Sequence, residues 1–329
     1  MAPAAVDLLA VDRGVVREGT HAGHLVVSDA AGRLQAALGD VGRTTYYRSC
    51  LKPLQALAAL RTGIQHRFDL QEEQIAIMCA SHNGEPRHLA TVRSLLARCD
   101  VPESALQCGA HWPYDEAAAL EARRTMAAPL AVFNNCSGKH AGMLAASLAL
   151  GAPLESYLEP THPLQQAIRG VVEAYTGCAA SEIAYGIDGC SAPNPAAPLK
   201  AIARSLAALA QDDDPIARGI VAAMTAHPYL VGGTGRFDTR LMEATHGRLL
   251  AKGGATGLHC TVDRRSGQAL AVKLESGDGS FTSVAVMAAL SQLGWLEDAE
   301  AATLADLSRP VLKNHRQIAV GAVRPLFRL

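Results

Sequence analysis

Lysine is scarce in this 329-residue chain: of its 30 basic side chains, 6 are lysines and 24 are arginines. Arginine keeps its charge under ordinary conditions, whereas a lysine amine loses its proton when burial or a neighbouring cation disfavours it. Surface charge therefore falls mainly to arginine, and each lysine is a position worth locating. An excess of either charge is also missing. The formal net charge of −1 excludes a basic field for nucleic acid and an acidic mimic of one. Small neutral or zwitterionic partners are expected instead. The 8 cysteines are too few and too irregularly spaced for a disulfide framework, and Cys79 and Cys99 sit inside apolar stretches. A reducing, cytoplasmic compartment is the expectation. The first residues lack a basic leader, and Asp7 and Asp12 break their apolar run, so no secretion signal is expected. The longest weakly polar stretch, residues 141–154, contains Ser147, Gly142 and Gly151. It falls short of the roughly 20 residues that span a bilayer.

Phosphate loops, dinucleotide glycine fingerprints, paired-histidine zinc helices and the nucleophile elbow are absent as well, which removes weight from those enzyme classes. What is present is enough apolar residue, 49%, to bury a large core. The first 48 residues read as short strands around 15–27 and 34–38, with a turn at 29–32. From about 50 to 225 apolar residues recur at spacings of three and four, and Gly63 and Gly151 suit helix C-termini. Strand patterns return at 248–251, 257–262 and 269–274, followed by a helix near 283–293 and a strand near 318–323. The expected class is α/β of the α+β kind: an antiparallel sheet built from both termini, with flanking helices and an inserted helical subdomain. Residues 1–329 are expected to form a single catalytic unit, with the sheet part at about 1–48 and 245–329 and the helical subdomain at about 49–244.

Three short motifs then appear in order. Ser49-Cys50-Leu51-Lys52 puts a hydroxyl and an amine on one side of a helical turn, where a neutral Lys52 can take the Ser49 proton. Ser81-His82-Asn83 follows the apolar run 75–80, and Lys252-Gly253-Gly254 ends a strand pattern. Enzymes with a Ser-x-x-Lys turn use a Ser-x-Asn loop and a Lys-Thr-Gly strand in that order, so glycine here stands where threonine is usual. Each motif alone arises easily by chance; the ordered set points to an activated serine. Two lysines near one pocket oppose each other's ionisation, which moves at least one toward the range of a general base. A serine without such a base is a weak nucleophile. The N–H groups of Ser49 and of the Lys252 strand are candidates for an oxyanion hole. Pro53 disfavours the α region at Lys52, so a turn tighter than α is expected there.

A second constellation joins Asn134-Asn135-Cys136-Ser137-Gly138-Lys139-His140 to Asp188-Gly189-Cys190-Ser191. It suits a zinc site or two buried free cysteines, and spacing alone does not choose, since no Cys-x-x-Cys pair is present. His82, His88 and His111 receive no role, and Gly232-Gly233-Thr234-Gly235 reads as a flexible turn.

These strings resemble the rhizobial-type L-asparaginases. They include Tyr47-Arg48-Ser49-Cys50-Leu51-Lys52-Pro53, Ser81-His82-Asn83-Gly84-Glu85, Asn135 to His140 and Asp188 to Pro193. Val231 to Phe237 and Lys252 to Ala255 extend the resemblance through nearly the whole chain. It implies a serine β-lactamase-like fold, a homodimer, and hydrolysis of L-asparagine to L-aspartate and ammonia through a serine acyl-enzyme. It implies two tandems, Ser49 with Lys52 and Ser81 with Lys252, and a zinc ion on Cys136, Lys139 and Cys190. Arg48, Asn83, His140, Asp188 and Gly253 become the substrate-binding set, Arg48 as partner of the substrate carboxylate. Rival readings are a glutaminase or a β-lactam or peptide acyl hydrolase on the same fold, or a noncatalytic zinc-binding protein. The Thr-Gly-Gly-Thr opening of threonine-dependent asparaginases is absent.

Overall fold

A computed structural model describes residues 4–329. The chain divides into a sheet unit, made of the residues up to Cys50 with Ala197–Gln211 and Arg240–Leu329, and a helical unit of Leu51–Ala196 and Asp212–Thr239. In the sheet unit one antiparallel sheet runs in the order Val311–Lys313, Ala319–Pro325, β1 (Val6–Arg13), β2 (Val16–Ser28), Gln268–Leu274, Leu258–Asp263, Leu249–Gly253. β2 is 13 residues long and divides one edge between two partners. Its first half pairs with β1, and Leu25 to Ser28 pair with β3 (Leu34–Leu38). Its other edge takes the Gln268–Leu274 strand. Leu25, Val26 and Val27 are fully buried, the unbroken apolar run of a strand covered on both faces.

The Thr282–Gln292 helix packs on Gln268–Leu274 and Ala319–Pro325. The Leu199–Gln211 helix packs on β2, Gln268–Leu274 and Leu258–Asp263, and so belongs to the sheet unit although its sequence lies within the helical stretch. Periodicity identifies an amphipathic helix but not the surface that its apolar face covers.

In the helical unit α1 (Lys52–Leu60) is buried on every face, as a central helix must be. It packs against the Ser137–Ala149, Pro163–Thr176 and Pro215–Ala226 helices. Pro53 stands in its first turn, and residues Arg48–Leu51 before it form a 3₁₀ turn, the tightening that proline predicts. A hairpin of Ala184–Ile187 and Pro193–Pro198 interrupts the helices.

Gly138 marks a close helix approach: a Cβ there would lie 2.2 Å from the Ile77 carbonyl oxygen. That carbonyl belongs to the Glu72–Met78 helix and has no side-chain freedom with which to yield. Gly→Ala in an exposed helix stabilises by about 1 kcal/mol. Gly138→Ala is expected to do the reverse, costing about 3 kcal/mol through overpacking. Urea unfolding of the variant checks this, and an unchanged midpoint contradicts it.

Candidate active site

The polar centre of the helical unit is organised by one lysine. Lys52, 1% exposed, projects from the first turn of α1. Its Nζ donates to the Ala80 carbonyl, to Ser81 Oγ at 3.0 Å and to the Asn135 carbonyl at 3.3 Å. Ser81 is held from behind by its backbone N–H, which donates to the Val231 carbonyl at 2.9 Å. A buried amine facing a serine hydroxyl and two carbonyls is placed to exchange a proton with that hydroxyl.

The segment after Ser81 is fixed by a buried carboxylate to which the sequence motifs assign no role. Glu85 accepts from the Thr234 N–H at 2.8 Å, the Thr234 hydroxyl at 2.7 Å, the Tyr229 hydroxyl at 2.9 Å and the Asn83 amide at 3.0 Å. The Asn83 amide also donates to the Thr234 carbonyl at 3.3 Å, so its nitrogen is committed to this network. Gly233 has φ +122, and a Cβ there would lie 2.5 Å from Glu85 Oε1. The 232–235 stretch is therefore a pinned support and not a flexible turn. The one sequence signal for it is Glu85 itself, at the end of Ser81-His82-Asn83-Gly84-Glu85.

Burial alone would raise the Glu85 pKa, but the bonds from Thr234, Tyr229 and Asn83 outweigh it and hold the carboxyl below its ordinary range. A carboxylate depressed in the folded state stabilises above its unfolded pKa, and that stability is lost as pH falls through the folded value. Glu85→Gln is expected to lose about 2 kcal/mol at neutral pH, and the gap to wild type should narrow below about pH 4. Parallel urea titrations test this, and a gap independent of pH contradicts it.

His82 and His88, which received no role, are wholly buried and stacked, with ring centroids 5.2 Å apart. Burial, with His88 and Lys52 nearby, holds His82 well below the usual histidine range. Its Nδ1 accepts the Gly84 N–H at 3.1 Å and its Nε2 meets Ser137 Oγ at 2.9 Å, a structural link to the Ser137–Ala149 helix.

That helix also carries half of the thiol cluster. Lys139 Nζ donates to Cys190 Sγ at 2.9 Å, and Cys190 Sγ meets Asp188 Oδ2 at 3.2 Å. Ligand atoms of Cys136, Asp188 and Cys190 lie within 4.8 Å of one another. The hydrogen bond from Cys190 holds the Cys136 thiol well below its ordinary range against burial, with Lys52 and Lys139 assisting. The same bond, with burial, pushes Cys190 up. The Lys139 amine stays above its usual value because the two sulfurs outweigh burial. Ser191, next in the chain, has φ +70, a left-handed backbone that costs a non-glycine residue about 1 kcal/mol or more. Two thiols and a carboxylate converging in this way make a donor set that fits zinc chemically, and the Lys139 amine joins it only by giving up its proton. All three residues expected to hold metal are brought together, and Asp188, expected at the substrate, joins them. His140 sits on the same helix, fully buried, its ring kept well below the usual histidine range by burial and by Lys139 and Lys52.

The sheet unit holds the remaining expected residues. Lys252, 1% exposed, stands near the end of the Leu249–Gly253 strand opposite Cys260, and its Nζ donates to the Gly253 carbonyl at 2.7 Å. Cys50 Sγ donates to the Lys252 carbonyl at 3.1 Å. Gly254 leaves room for this contact: a Cβ there would meet both Cys50 Sγ and the Tyr47 carbonyl at 3.2 Å. Tyr47 is anchored in turn by its hydroxyl, 2.8 Å from Ser205 Oγ. The turn bearing Ser49 is thus fixed against the strand bearing Lys252. Arg48 and Ser49 are half-buried, and Arg48 has φ +49, local strain of the kind that clusters at functional sites.

The comparisons with known proteins set the class first: this is a hydrolase of the amidohydrolase kind. The chain belongs to the L-asparaginase II family, whose model matches residues 9–325. No curated protein matches the sequence. Among solved structures, a β-lactamase from Mycobacterium bovis is similar with a TM-score of 0.43 and 18% identity, over 87% of this chain and 95% of its own. A β-lactamase described as putative, from Bacteroides dorei, follows with 0.40 and 12%, over 77% and 84%. Simvastatin synthase from Aspergillus terreus has 0.35 and 11%, over 77% and 86%. No helix among the described residues is long and apolar enough to cross a membrane.

Proposed function

We propose that this protein hydrolyses L-asparagine to L-aspartate and ammonia through an acyl-enzyme on Ser49. The observation that carries the reading is the buried Lys52 amine 3.0 Å from the Ser81 hydroxyl, in a chain of the L-asparaginase II family. Lys52 acts in its neutral form, in which Nζ keeps two hydrogens and turns a lone pair toward a hydroxyl, and Ser49 Oγ attacks the side-chain carbonyl carbon while its proton passes to that amine. The carbon–nitrogen bond breaks as the leaving nitrogen gains a proton, giving ammonia and a β-aspartyl ester on Ser49. Water then adds to the ester carbonyl, the ester bond breaks, and the Ser49 hydroxyl and aspartate are released. Ser81, bonded to Lys52, and Lys252 pass protons during these steps. Half-buried Ser49 is more open to a substrate than Ser81, which is 6% exposed, and this difference favours Ser49 as the acyl carrier.

Arg48 takes the α-carboxylate as a charge-assisted pair, and Gly253 lines the substrate. Asn83 acts through the network that it shares with Glu85, and His140 orients the substrate's polar groups. Cys136, Lys139 and Cys190 would hold zinc, with Asp188 as a further ligand; once bound, the ion supplies positive charge that orients or polarises a substrate oxygen. Side-by-side assays of ammonia release from asparagine and glutamine and of β-lactam opening test the substrate. Asparagine is expected to be turned over fastest, and a folded, zinc-loaded protein that leaves asparagine intact overturns the proposal.

A further inference from the structure

Tyr157 is wholly buried, and among the described residues its hydroxyl has two hydrogen-bond neighbours. It accepts the Gln107 backbone N–H at 2.9 Å and lies 2.6 Å from His140 Nδ1. A backbone N–H can only donate, so the phenol oxygen is the acceptor in the first bond. The phenol hydrogen then has one acceptor among the described residues, His140 Nδ1. An imidazole that accepts at Nδ1 is neutral and carries its hydrogen on Nε2. The tyrosine is itself immobilised, since its backbone carbonyl accepts from Gln165 Nε2 at 2.8 Å and its ring packs edge-on to His140 at 5.6 Å.

The other end of this chain of bonds is open. His140 Nε2 is buried and has no hydrogen-bond partner among the described residues. A buried donor without a partner is rare in native proteins and points to a group supplied from outside the chain. An N–H donor there suits an oxygen acceptor and not a cation.

We propose that Tyr157 is a positioning residue: with the Gln107 backbone it locks His140 in the Nε2–H tautomer and so presents a donor to an oxygen of the substrate. The lock follows from the hydrogen bonds alone, while the identity of the acceptor rests on the asparaginase reading. Nitrogen-15 imidazole spectra, with the His140 signals assigned by their loss in His140→Gln, test the lock without any turnover. Wild-type His140 is expected as Nε2–H, and Tyr157→Phe, which removes one oxygen and keeps the ring, is expected to move the hydrogen wholly or partly to Nδ1. The same variant should lose about 10- to 100-fold in kcat/KM for L-asparagine, mainly through KM, as for an orienting bond made in ground and transition states alike. Wild-type His140 protonated on Nδ1, or a Tyr157→Phe variant with an unchanged tautomer, overturns the lock. A changed tautomer with unchanged kcat/KM overturns the role at the substrate. If wild type does not turn over asparagine at all, the asparaginase reading falls while the spectra still decide the lock.

Discussion

Ser49→Ala is expected to lower kcat for L-asparagine by at least about 1000-fold while leaving the cooperative unfolding transition in place. The substitution removes one half-buried oxygen from the Arg48–Leu51 turn. The turn keeps its anchors, the Cys50 bond to the Lys252 carbonyl and the Tyr47 bond to Ser205. Lys52→Met is expected to be equally inactive but also less stable, because the Ala80 carbonyl, Ser81 Oγ and the Asn135 carbonyl all lose a buried donor. Rates measured beside urea unfolding separate the two effects. A Ser49→Ala protein that keeps a tenth of wild-type kcat contradicts the assignment of the nucleophile.

Removing the cluster's central thiol is expected to have the second large effect. Cys190→Ala takes away the group that meets both Lys139 and Asp188, and zinc content should fall from about one ion per chain to below about a tenth. Asp188→Asn is expected to weaken zinc about 100-fold if the carboxylate is a ligand, and about 10-fold if it only supports one. Elemental analysis after dialysis against a chelator reads both variants. Wild type without zinc after growth in zinc-rich medium, or Cys190→Ala with full zinc, contradicts the metal assignment.

Much of the frame is legible in the residues. The strands at 16–28, 34–38, 249–253, 258–263 and 268–274 follow runs of apolar and β-branched residues bounded by turn residues, and the 282–292 helix follows its period. β1 is not legible, because Val6–Arg13 has a central apolar run and two aspartates instead of a clean alternation; it lies between β2 and the last strand. The hairpin at 184–198 is hidden for another reason. Its second strand reads Pro-Asn-Pro-Ala-Ala-Pro, and proline cannot donate to a ladder.

The site divides in the same way. The motif strings single out Ser49, Lys52, Ser81, Lys252 and the two thiols as candidates. The bond from Lys52 to Ser81 and the arrival of Asp188 beside Cys136 depend on tertiary approach across 29 and 52 positions, which no local spacing encodes. The Gln107, Tyr157 and His140 chain is of the same kind, since a tyrosine and a backbone N–H form no motif until the fold joins them.

The most direct test of the central claim is an acid quench of the working enzyme with L-asparagine, followed by intact-protein and peptide mass spectrometry. A mass increase of one aspartyl group, located on the peptide that carries Ser49 and absent from Ser49→Ala, is the predicted result. Ammonia released at full rate with the acyl group found only on the Ser81 peptide contradicts it.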